Sequence, residues 1–214
     1  LDGALLVVQV HAADLTDGVL DDEVFSVGTA APDDQVLRRH CGVAAARHQV
    51  DRAVGRGHGL ATAQRLAVRD EVVLADDSGL VVDALGGAPG IHSARYAASE
   101  PHSAENNTDD DANNARVLRE LKGVPWEKRS GRFVCVIAAA RNGKTLASFR
   151  GVAEGYILDR LQGSGGFGYD PMFYFPTVGK TFAELSPEEK AQYSHRGAAF
   201  RQALAWIERQ SKFE

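Results

Sequence analysis

Ala75-Asp76-Asp77-Ser78-Gly79-Leu80 sets two carboxylates and a hydroxyl directly after an apolar run, Val72 to Ala75. The apolar run predicts a buried strand, and Gly79 predicts a turn where that strand ends. Carboxylate oxygens at such a turn suit a hard cation such as Mg²⁺, which prefers oxygen ligands and commonly keeps substrate phosphates in its shell. Asp, Ser and Gly are also ordinary turn formers, so a solvated turn is the competing interpretation.

The composition of the 214-residue chain, 44% hydrophobic and 25% charged, is that of an ordinary soluble globular protein. A net charge of −5 argues against a nucleic acid polymer as partner, because such a partner is bound by clustered Lys and Arg. No apolar segment reaches the roughly 20 residues that span a membrane, and no leader with a basic start is visible, so we expect no membrane partner. Cys41 and Cys135 do not make a disulfide framework, which favours a cytoplasmic location.

A change in composition separates an atypical segment, residues 1–74, from a better patterned region, residues 75–214. The atypical segment holds nine Asp but no Lys, Ile, Asn, Tyr or Met, whereas the second region uses all five missing types. In the first, Leu5 to Val10 predicts a strand and Gln35 to Arg47 a weak helix. The run Gly55-Arg56-Gly57-His58-Gly59 is either a flexible loop or a phosphate cradle; the Lys of a Walker loop is missing, which favours the flexible loop.

From residue 75 onward, local signals predict a mixed α/β protein. Apolar periodicity with start and stop signals predicts helices, and continuous apolar runs predict strands. Asn142-Gly143 is a strong hairpin turn, and Ser186 with Pro187 and Glu189 forms a capping box at a helix start. The remaining predicted elements are a helix over Asp109–Leu121, strands over Arg132–Ala140, Thr145–Phe149 and Val152–Leu158, and a final helix with Phe200, Ala203, Leu204 and Ile207 on one face.

A glycine-rich loop, Gly163 to Pro171, carries two aromatic rings and a carboxylate. The glycines that bracket Phe167 would let a planar ligand approach its ring, and stacking of a base on an aromatic side chain contributes about 1 to 3 kcal/mol. The alternative is a loop in which Phe167 and Tyr169 fill the hydrophobic core. The sequence leaves both interpretations open.

A late basic cluster consists of Lys190 and, four to six residues on, Ser194-His195-Arg196. In a helix, Lys190 and Ser194 share one face while His195 and Arg196 open the next turn. Lys and Arg offer hydrogen-bond donors without acceptors, which suits phosphate oxygens or keto groups on a base. An exposed, charged helix surface is the alternative.

Together these features resemble the inosine triphosphate pyrophosphatase family, from about Leu74 to the end of the last helix. A carboxylate pair, an aromatic glycine loop and a basic cluster are the parts needed to hold a nucleoside triphosphate. The motifs that carry the resemblance, in this order, are Ala75-Asp76-Asp77-Ser78-Gly79-Leu80, Gly86-Gly87-Ala88-Pro89-Gly90, Ser93-Ala94-Arg95-Tyr96, Gly166-Phe167-Gly168-Tyr169-Asp170-Pro171 and Ser194-His195-Arg196-Gly197.

The resemblance implies hydrolysis of ITP, dITP and XTP to the monophosphate and pyrophosphate, with Mg²⁺ as cofactor. It implies that Asp77 binds Mg²⁺ and accepts a proton, and that Ser78 contacts the substrate. The other substrate-binding residues that it implies are Phe167, Gly168, Tyr169, Asp170, Lys190, His195 and Arg196. It also implies an α/β fold, with a long twisted mixed sheet, flanking helices and two lobes around a nucleotide cleft, and a homodimer.

The atypical segment departs from the family, whose members begin with a strand and a Ser/Thr-x-Asn-x-x-Lys phosphate loop and later present a Glu that assists metal binding. Without Asn or Lys, that loop cannot be present in its usual form. The segment is either a genuine replacement of the family's first elements, or the product of a reading-frame error or of foreign sequence. The compositional break favours the second explanation. Three functional hypotheses follow: the pyrophosphatase, a catalytically impaired nucleotide-binding remnant, and a related pyrophosphatase with another base preference.

Overall fold

The computed structural model describes the backbone of residues 5–9 together with residues 72–99 and 109–210. The strands are β1 (Leu5–Gln9), β2 (Val72–Val82), β3 (Ser130–Arg141), β4 (Lys144–Ile157), β5 (Phe173–Phe175) and β6 (Lys180–Thr181), and the α-helices are α1 (Asp110–Glu120), α2 (Pro187–Tyr193) and α3 (His195–Gln210). Short 3₁₀ helices lie at Asp83–Leu85, Gly90–Arg95, Ala97–Ser99, Trp126–Lys128, Asp170–Met172 and Phe182–Glu184.

The strands form one six-stranded mixed sheet in the order β1-β2-β3-β4-β5-β6. β1 runs parallel to β2, and every other neighbouring pair is antiparallel. The predicted α/β fold class with a mixed sheet and flanking helices is thereby confirmed. β1 also confirms the predicted first strand, whereas the predicted helix over Gln35–Arg47 and the Gly55–Gly59 loop lie outside the described residues.

The turn predicted at Gly79 is wrong, because β2 continues through the carboxylate motif to Val82. In the ladder with β3, Asp77 pairs with Val136 and Gly79 with Val134. β3 is long enough to supply a hydrogen-bonding partner for each of these residues, and this pairing overrides their local preference for a turn. The motif therefore lies inside a central strand, where consecutive side chains point to opposite faces of the sheet.

Local signals located most other elements correctly. The hairpin at Asn142-Gly143 is confirmed, with φ of 50° and 69° at the two residues. Asp109 caps α1 by accepting a hydrogen bond from the Asp111 amide, and both halves of the Ser186 capping box are present. The strands predicted over Thr145–Phe149 and Val152–Leu158 are one strand, β4, because the ladder with β3 runs through Arg150 and Gly151.

The hydrophobic core has two main parts on the face of the sheet that carries the even-numbered residues of β2. The larger part contains Leu80, Val82, Tyr96, Val117, Leu121, Phe133, Ala153, Ile157, Tyr169, Met172, Phe173, Phe182 and Leu185. The smaller part lies beneath α3 and contains Leu74, Cys135, Ile137, Ala139, Ala199 and Ala203. Cys135 is a buried free thiol, and Cys41 lies outside the described residues. None of the described helices is long and apolar enough to cross a membrane.

Gly151 allows α3 to approach β4 closely. A Cβ atom at Gly151 would lie 1.9 Å from the His195 carbonyl oxygen and 2.6 Å from the Ala199 amide nitrogen. Both atoms belong to the backbone, so a side chain at this position can be accommodated only if α3 moves away from the sheet. The absence of a Cβ at Gly151 therefore determines where the first turn of α3 lies.

We expect Gly151→Ala to lower the free energy of unfolding by about 1 to 3 kcal/mol, the usual cost of overpacking a core. Urea denaturation followed by circular dichroism measures this change. Ser148→Ala, on the exposed side of the same strand, is the matched control and should stay within about 0.5 kcal/mol of the parent protein. Equal stability of the two variants would show that α3 is not held against Gly151.

Candidate functional site

A buried ion pair joins α3 to the middle of β2. The Arg196 Nε atom donates to Asp76 Oδ2 at 2.6 Å, and its Nη2 atom lies 3.4 Å from the Ser78 hydroxyl. The side chains of Arg196 and Asp76 are 19% and 3% exposed. Burial opposes the charged guanidinium, but the Asp76 carboxylate, together with Cys135 and Asp170, more than offsets it, so the pKa of Arg196 is raised. The charge on Arg196 is therefore fixed in place beside the strand.

A break between α2 and α3 places Arg196 at the start of α3. Ser194 has an extended ψ of 155°, which ends α2, and its hydroxyl accepts a hydrogen bond from the Gly197 amide at 3.0 Å. The Ser194 amide donates to the Lys190 carbonyl at 2.8 Å, which confirms that Lys190 and Ser194 share one helical face. The basic cluster is therefore spread over two helices that meet at Ser194.

Strand alternation separates the two carboxylates of the motif. Asp76 and Ser78 lie on the face of β2 that packs against α3, whereas Asp77 points to the opposite face, on the side of Val81. Burial and, next, the Asp76 charge raise the pKa of Asp77 to about 7, although the Ser78 amide and Arg196 act in the other direction. The structure thus joins Asp76 and Ser78 to Arg196 and leaves Asp77 apart from them.

The carboxylates of β2 fit a Mg²⁺ ion that is shared with a phosphate ligand. Within 72–99 and 109–210, no three His, Cys, Asp or Glu side chains lie close enough together to hold a metal ion by themselves. Mg²⁺ is commonly bound by only one or two carboxylates, and water and substrate phosphates complete its shell. The raised pKa of Asp77, which a nearby cation would lower, agrees with such a site. Asp76 Oδ1 is also buried with no hydrogen-bond partner among the described residues, but it lies on the other face of β2.

The glycine-rich loop folds around the carboxylate of Asp170. Asp170 Oδ2 accepts hydrogen bonds from the Phe167 amide at 2.8 Å and from Lys190 Nζ. A Cβ atom on Gly166 would lie 2.1 Å from the same oxygen, so only glycine permits this fold of the loop. Burial raises the pKa of Asp170, and Lys190 opposes that rise. Asp170 therefore links the loop to α2.

The two aromatic side chains of this loop have different surroundings: Tyr169 fills the core, as the alternative interpretation expects, whereas Phe167 does not. Phe167 is 44% exposed, with Lys190 Nζ 4.1 Å and the Arg196 guanidinium carbon 5.4 Å from its ring centroid. Tyr169 is buried in the core, where its hydroxyl donates to the Ser93 carbonyl at 2.6 Å. Phe167 thus offers a ring to a planar ligand beside two cations, while Tyr169 anchors the loop.

His195 is buried against the core. Its ring stacks on Phe133 with centroids 4.7 Å apart and planes inclined by 11°, and Nδ1 is buried without a hydrogen-bond partner within the described part of the chain. Burial lowers the pKa of His195 well below its ordinary value of 6.5, and the charges of Arg196 and Lys190 lower it further. His195 is therefore neutral at physiological pH.

Two residues of α1 contact the loop and were missed by the sequence analysis. Asp110 and Asn114 hydrogen-bond to the backbone of Gly168. The sequence does contain one signal: Asn113 and Asn114 are consecutive within the helix predicted over Asp109–Leu121, although Asn is a poor helix former. Helix propensity does not explain an Asn pair at these positions, whereas the hydrogen bonds of both side chains to neighbouring loops do.

We expect His195→Phe to make the protein less sensitive to acid. The unfolded chain binds a proton at His195 below about pH 6.5 and the folded chain does not, so the wild type loses up to about 1.4 kcal/mol of stability per pH unit below that value. His195→Phe keeps the stacked ring but cannot bind a proton. Urea denaturation at pH 8, 7, 6 and 5 measures the difference, and the raised pKa values of Asp77 and Asp170 contribute equally to both proteins.

His195→Gln is the matched variant for this measurement. It also lacks the titrating group, so we expect the same loss of acid sensitivity, but at pH 8 it should be less stable than His195→Phe because the stacking on Phe133 is lost. Parallel pH profiles for the wild type and both variants would contradict a neutral, buried His195.

Comparison with known proteins identifies the family. The Ham1 family model matches residues 55–206, so the match begins inside the atypical segment. The chain is 55% identical to dITP/XTP pyrophosphatase from Geobacillus kaustophilus over 127 residues, 59% of each chain, and 52% identical to the protein of that name from Halalkalibacterium halodurans over 64% of this chain and 66% of the relative. It therefore spans less than two thirds of the length of these curated relatives.

Solved structures agree with the sequence comparisons. The Staphylococcus aureus Ham1 protein matches with a TM-score of 0.61 and 42% identity over 71% of this chain and 73% of that one. A Ham1 protein from Coxiella burnetii matches with a TM-score of 0.62 and 39% identity over 71% and 75%. The resemblance predicted from the motifs is confirmed, and the chain belongs to the Ham1 family.

Proposed function

We propose that this protein hydrolyses the non-canonical purine nucleoside triphosphates ITP, dITP and XTP to the monophosphate and pyrophosphate. The observation that carries the proposal is Arg196, held by Asp76 and Ser78 beside the exposed ring of Phe167. A fixed set of donors next to an aromatic face is what a purine with a 6-keto group requires. The names of the curated relatives, dITP/XTP pyrophosphatase, support the same substrate class.

Selectivity for the base follows from the chemistry of the guanidinium. Arg196 uses Nε and Nη2 to bind the strand, which leaves the Nη1 donors for a ligand. Guanidinium nitrogens only donate hydrogen bonds, so they pair with the keto oxygen of hypoxanthine or xanthine and not with the amino group of adenine. A hydrogen bond left unmade in a buried site costs about 1 to 3 kcal/mol. Phe167 stacks on any purine, so discrimination rests on Arg196.

The phosphate end of the substrate would lie toward the carboxylates of β2 and Lys190. Lys190 supplies a positive charge that Asp170 holds close to the base-stacking ring. Asp77 is the residue that would hold Mg²⁺, which when bound neutralises phosphate charge and orients the attacking water. Beside such a cation, Asp77 would stay ionised and would accept a hydrogen bond from the attacking water, which would fix the direction of attack on the phosphorus.

Pyrophosphate release from ITP and XTP in the presence of Mg²⁺ tests the activity, with Asp77→Asn as the control. We expect turnover by the wild type and a loss of about a hundredfold or more in Asp77→Asn, because the variant loses a charged ligand and water-orienting group. Equal activity of the two proteins would contradict the role given to Asp77. Turnover of canonical or modified pyrimidine triphosphates instead would indicate another base preference.

The absence of Asn and Lys from the atypical segment favours a second candidate, a nucleotide-binding remnant without activity. Its signature is binding of ITP, measured by titration calorimetry, with no pyrophosphate released by the wild type. Homodimer formation remains a prediction from the family resemblance, and a cytoplasmic location remains a prediction from the cysteine content.

We expect Arg196→Lys to lower the preference for ITP over ATP about tenfold, since one charged hydrogen bond contributes about 1.5 to 3 kcal/mol. Lys keeps a positive charge beside Asp76 but loses the planar set of donors. The ratio of kcat/KM for ITP to that for ATP measures the effect. Arg201→Lys, on the exposed side of α3, is the matched control, and an unchanged ratio in Arg196→Lys would contradict the role of Arg196 in base selection.

A further inference from the structure

Helix α1 holds the backbone of the glycine-rich loop at Gly168. The Gly168 amide donates to Asp110 Oδ2 at 2.6 Å, and Asn114 Nδ2 donates to the Gly168 carbonyl oxygen at 3.0 Å. Asp110 and Asn114 are four residues apart, so they share one face of the helix. Both polar groups of Gly168 are therefore bound by two side chains that lie more than fifty residues earlier in the sequence.

The geometry of Asn114 indicates that it is present for this contact. It is 2% exposed, and its Oδ1 atom is buried without a hydrogen-bond partner in the part of the chain that the structure describes. A half-satisfied amide costs free energy that an apolar side chain of similar size would not. The neighbouring Asn113 bonds to the Ala97 amide and the Ala94 carbonyl instead, so only Asn114 of this pair serves the glycine-rich loop.

The backbone conformation at Gly168 also determines where the Phe167 side chain points. On one side, the Phe167 amide is bound by Asp170; on the other, Tyr169 is anchored in the core through Ser93. Gly168 itself has φ of 59°, a left-handed conformation. The backbone is therefore fixed before, at and after Gly168, whereas the Phe167 ring projects from it 44% exposed.

We propose that Asp110 and Asn114 are positioning residues that hold Phe167 where a purine base stacks. This inference rests on the proposed function, because it assigns the base-binding end of that site. The two residues contact no base themselves; they fix the backbone from which the stacking ring projects. Removing either one lets the ring move and weakens binding of the base, while the phosphate end of the site stays as it was.

The test compares Asp110→Ala and Asn114→Leu with Asp111→Ala. Asp110 and Asp111 are both exposed acidic residues in the first turn of α1, so the control removes the same charge from the helix start but leaves the contact with Gly168 intact. We expect the KM for ITP to rise about tenfold in the first two variants, with kcat within about twofold of the wild type. Asp110→Asn keeps an acceptor oxygen and should recover most of the affinity.

Inhibition by inorganic tripolyphosphate separates positioning of the base from general damage to the fold. This ligand has a phosphate chain but no base, so its inhibition constant should stay within about twofold of the wild type in Asp110→Ala and Asn114→Leu. A parallel rise in the KM for ITP and in this inhibition constant would overturn the proposal. So would a KM in Asp110→Ala that equals that of Asp111→Ala.

Amide hydrogen exchange gives a measurement that does not depend on activity. We expect the Gly168 amide to exchange at least tenfold faster in Asp110→Ala than in the wild type, and at the wild-type rate in Asp111→Ala. If the wild type releases no pyrophosphate, only the proposed function is refuted. The exchange rate of the Gly168 amide would still show whether Asp110 positions the loop. Unchanged exchange at Gly168 in Asp110→Ala would overturn the positioning role whether or not the enzyme is active.

Discussion

The ion pair between Arg196 and Asp76 is the constraint around which the rest of the site is arranged. It connects residues 120 positions apart and is largely removed from water, with Asp76 buried and Arg196 partly buried. Taking two charges out of water costs several kcal/mol per ion, roughly, and the attraction between them repays that cost only when the geometry is close and hydrogen bonds are satisfied. Because the pair must stay close, α3 has to lie against β3 and β4 at a fixed height above the sheet. The bare backbone of Gly151 permits that approach, and the break at Ser194 turns the helix toward the strand.

Features set by a few neighbouring residues were predictable from the sequence. The capping box at Ser186 and the hairpin at Asn142-Gly143 each depend on contacts within about four residues, and both are present as predicted. The turn at Gly79 was predicted on the same kind of evidence and is wrong. Its outcome depends on β3, more than fifty residues later, whose ladder extends through the motif. Local preference decides an element only where no distant strand competes for its backbone.

The candidate site shows the same division. The identities of the groups that hold charge or present a ring were visible in the sequence, because Asp, Lys, Arg and Phe occur there in clusters. The contacts between these groups could not be predicted from the sequence, neither the ion pair of Arg196 with Asp76 nor the position of Asp77 on the other face of β2. It also could not separate Phe167 from Tyr169, two aromatic residues flanking one glycine, because exposure and burial are decided by Ser93 and α1. The contacts of Asp110 and Asn114 are to the backbone of Gly168; the sequence shows an unusual Asn pair inside a helix, but not what that pair binds.

Because consecutive side chains of β2 point to opposite faces of the sheet, this short motif presents different groups on each face. Asp76 and Ser78 face α3 and hold the guanidinium that would select the base, whereas Asp77 faces the other side, where the phosphate and metal chemistry would take place. β1 ends at Gln9, whose backbone pairs with Asp76, so the carboxyl end of the parallel strand lies directly beside the carboxylates. In the proposed site, base selection and phosphate chemistry would depend on opposite faces of the same strand, so a shift of one residue in the register of β2 would exchange the two carboxylates and disable both ends at once.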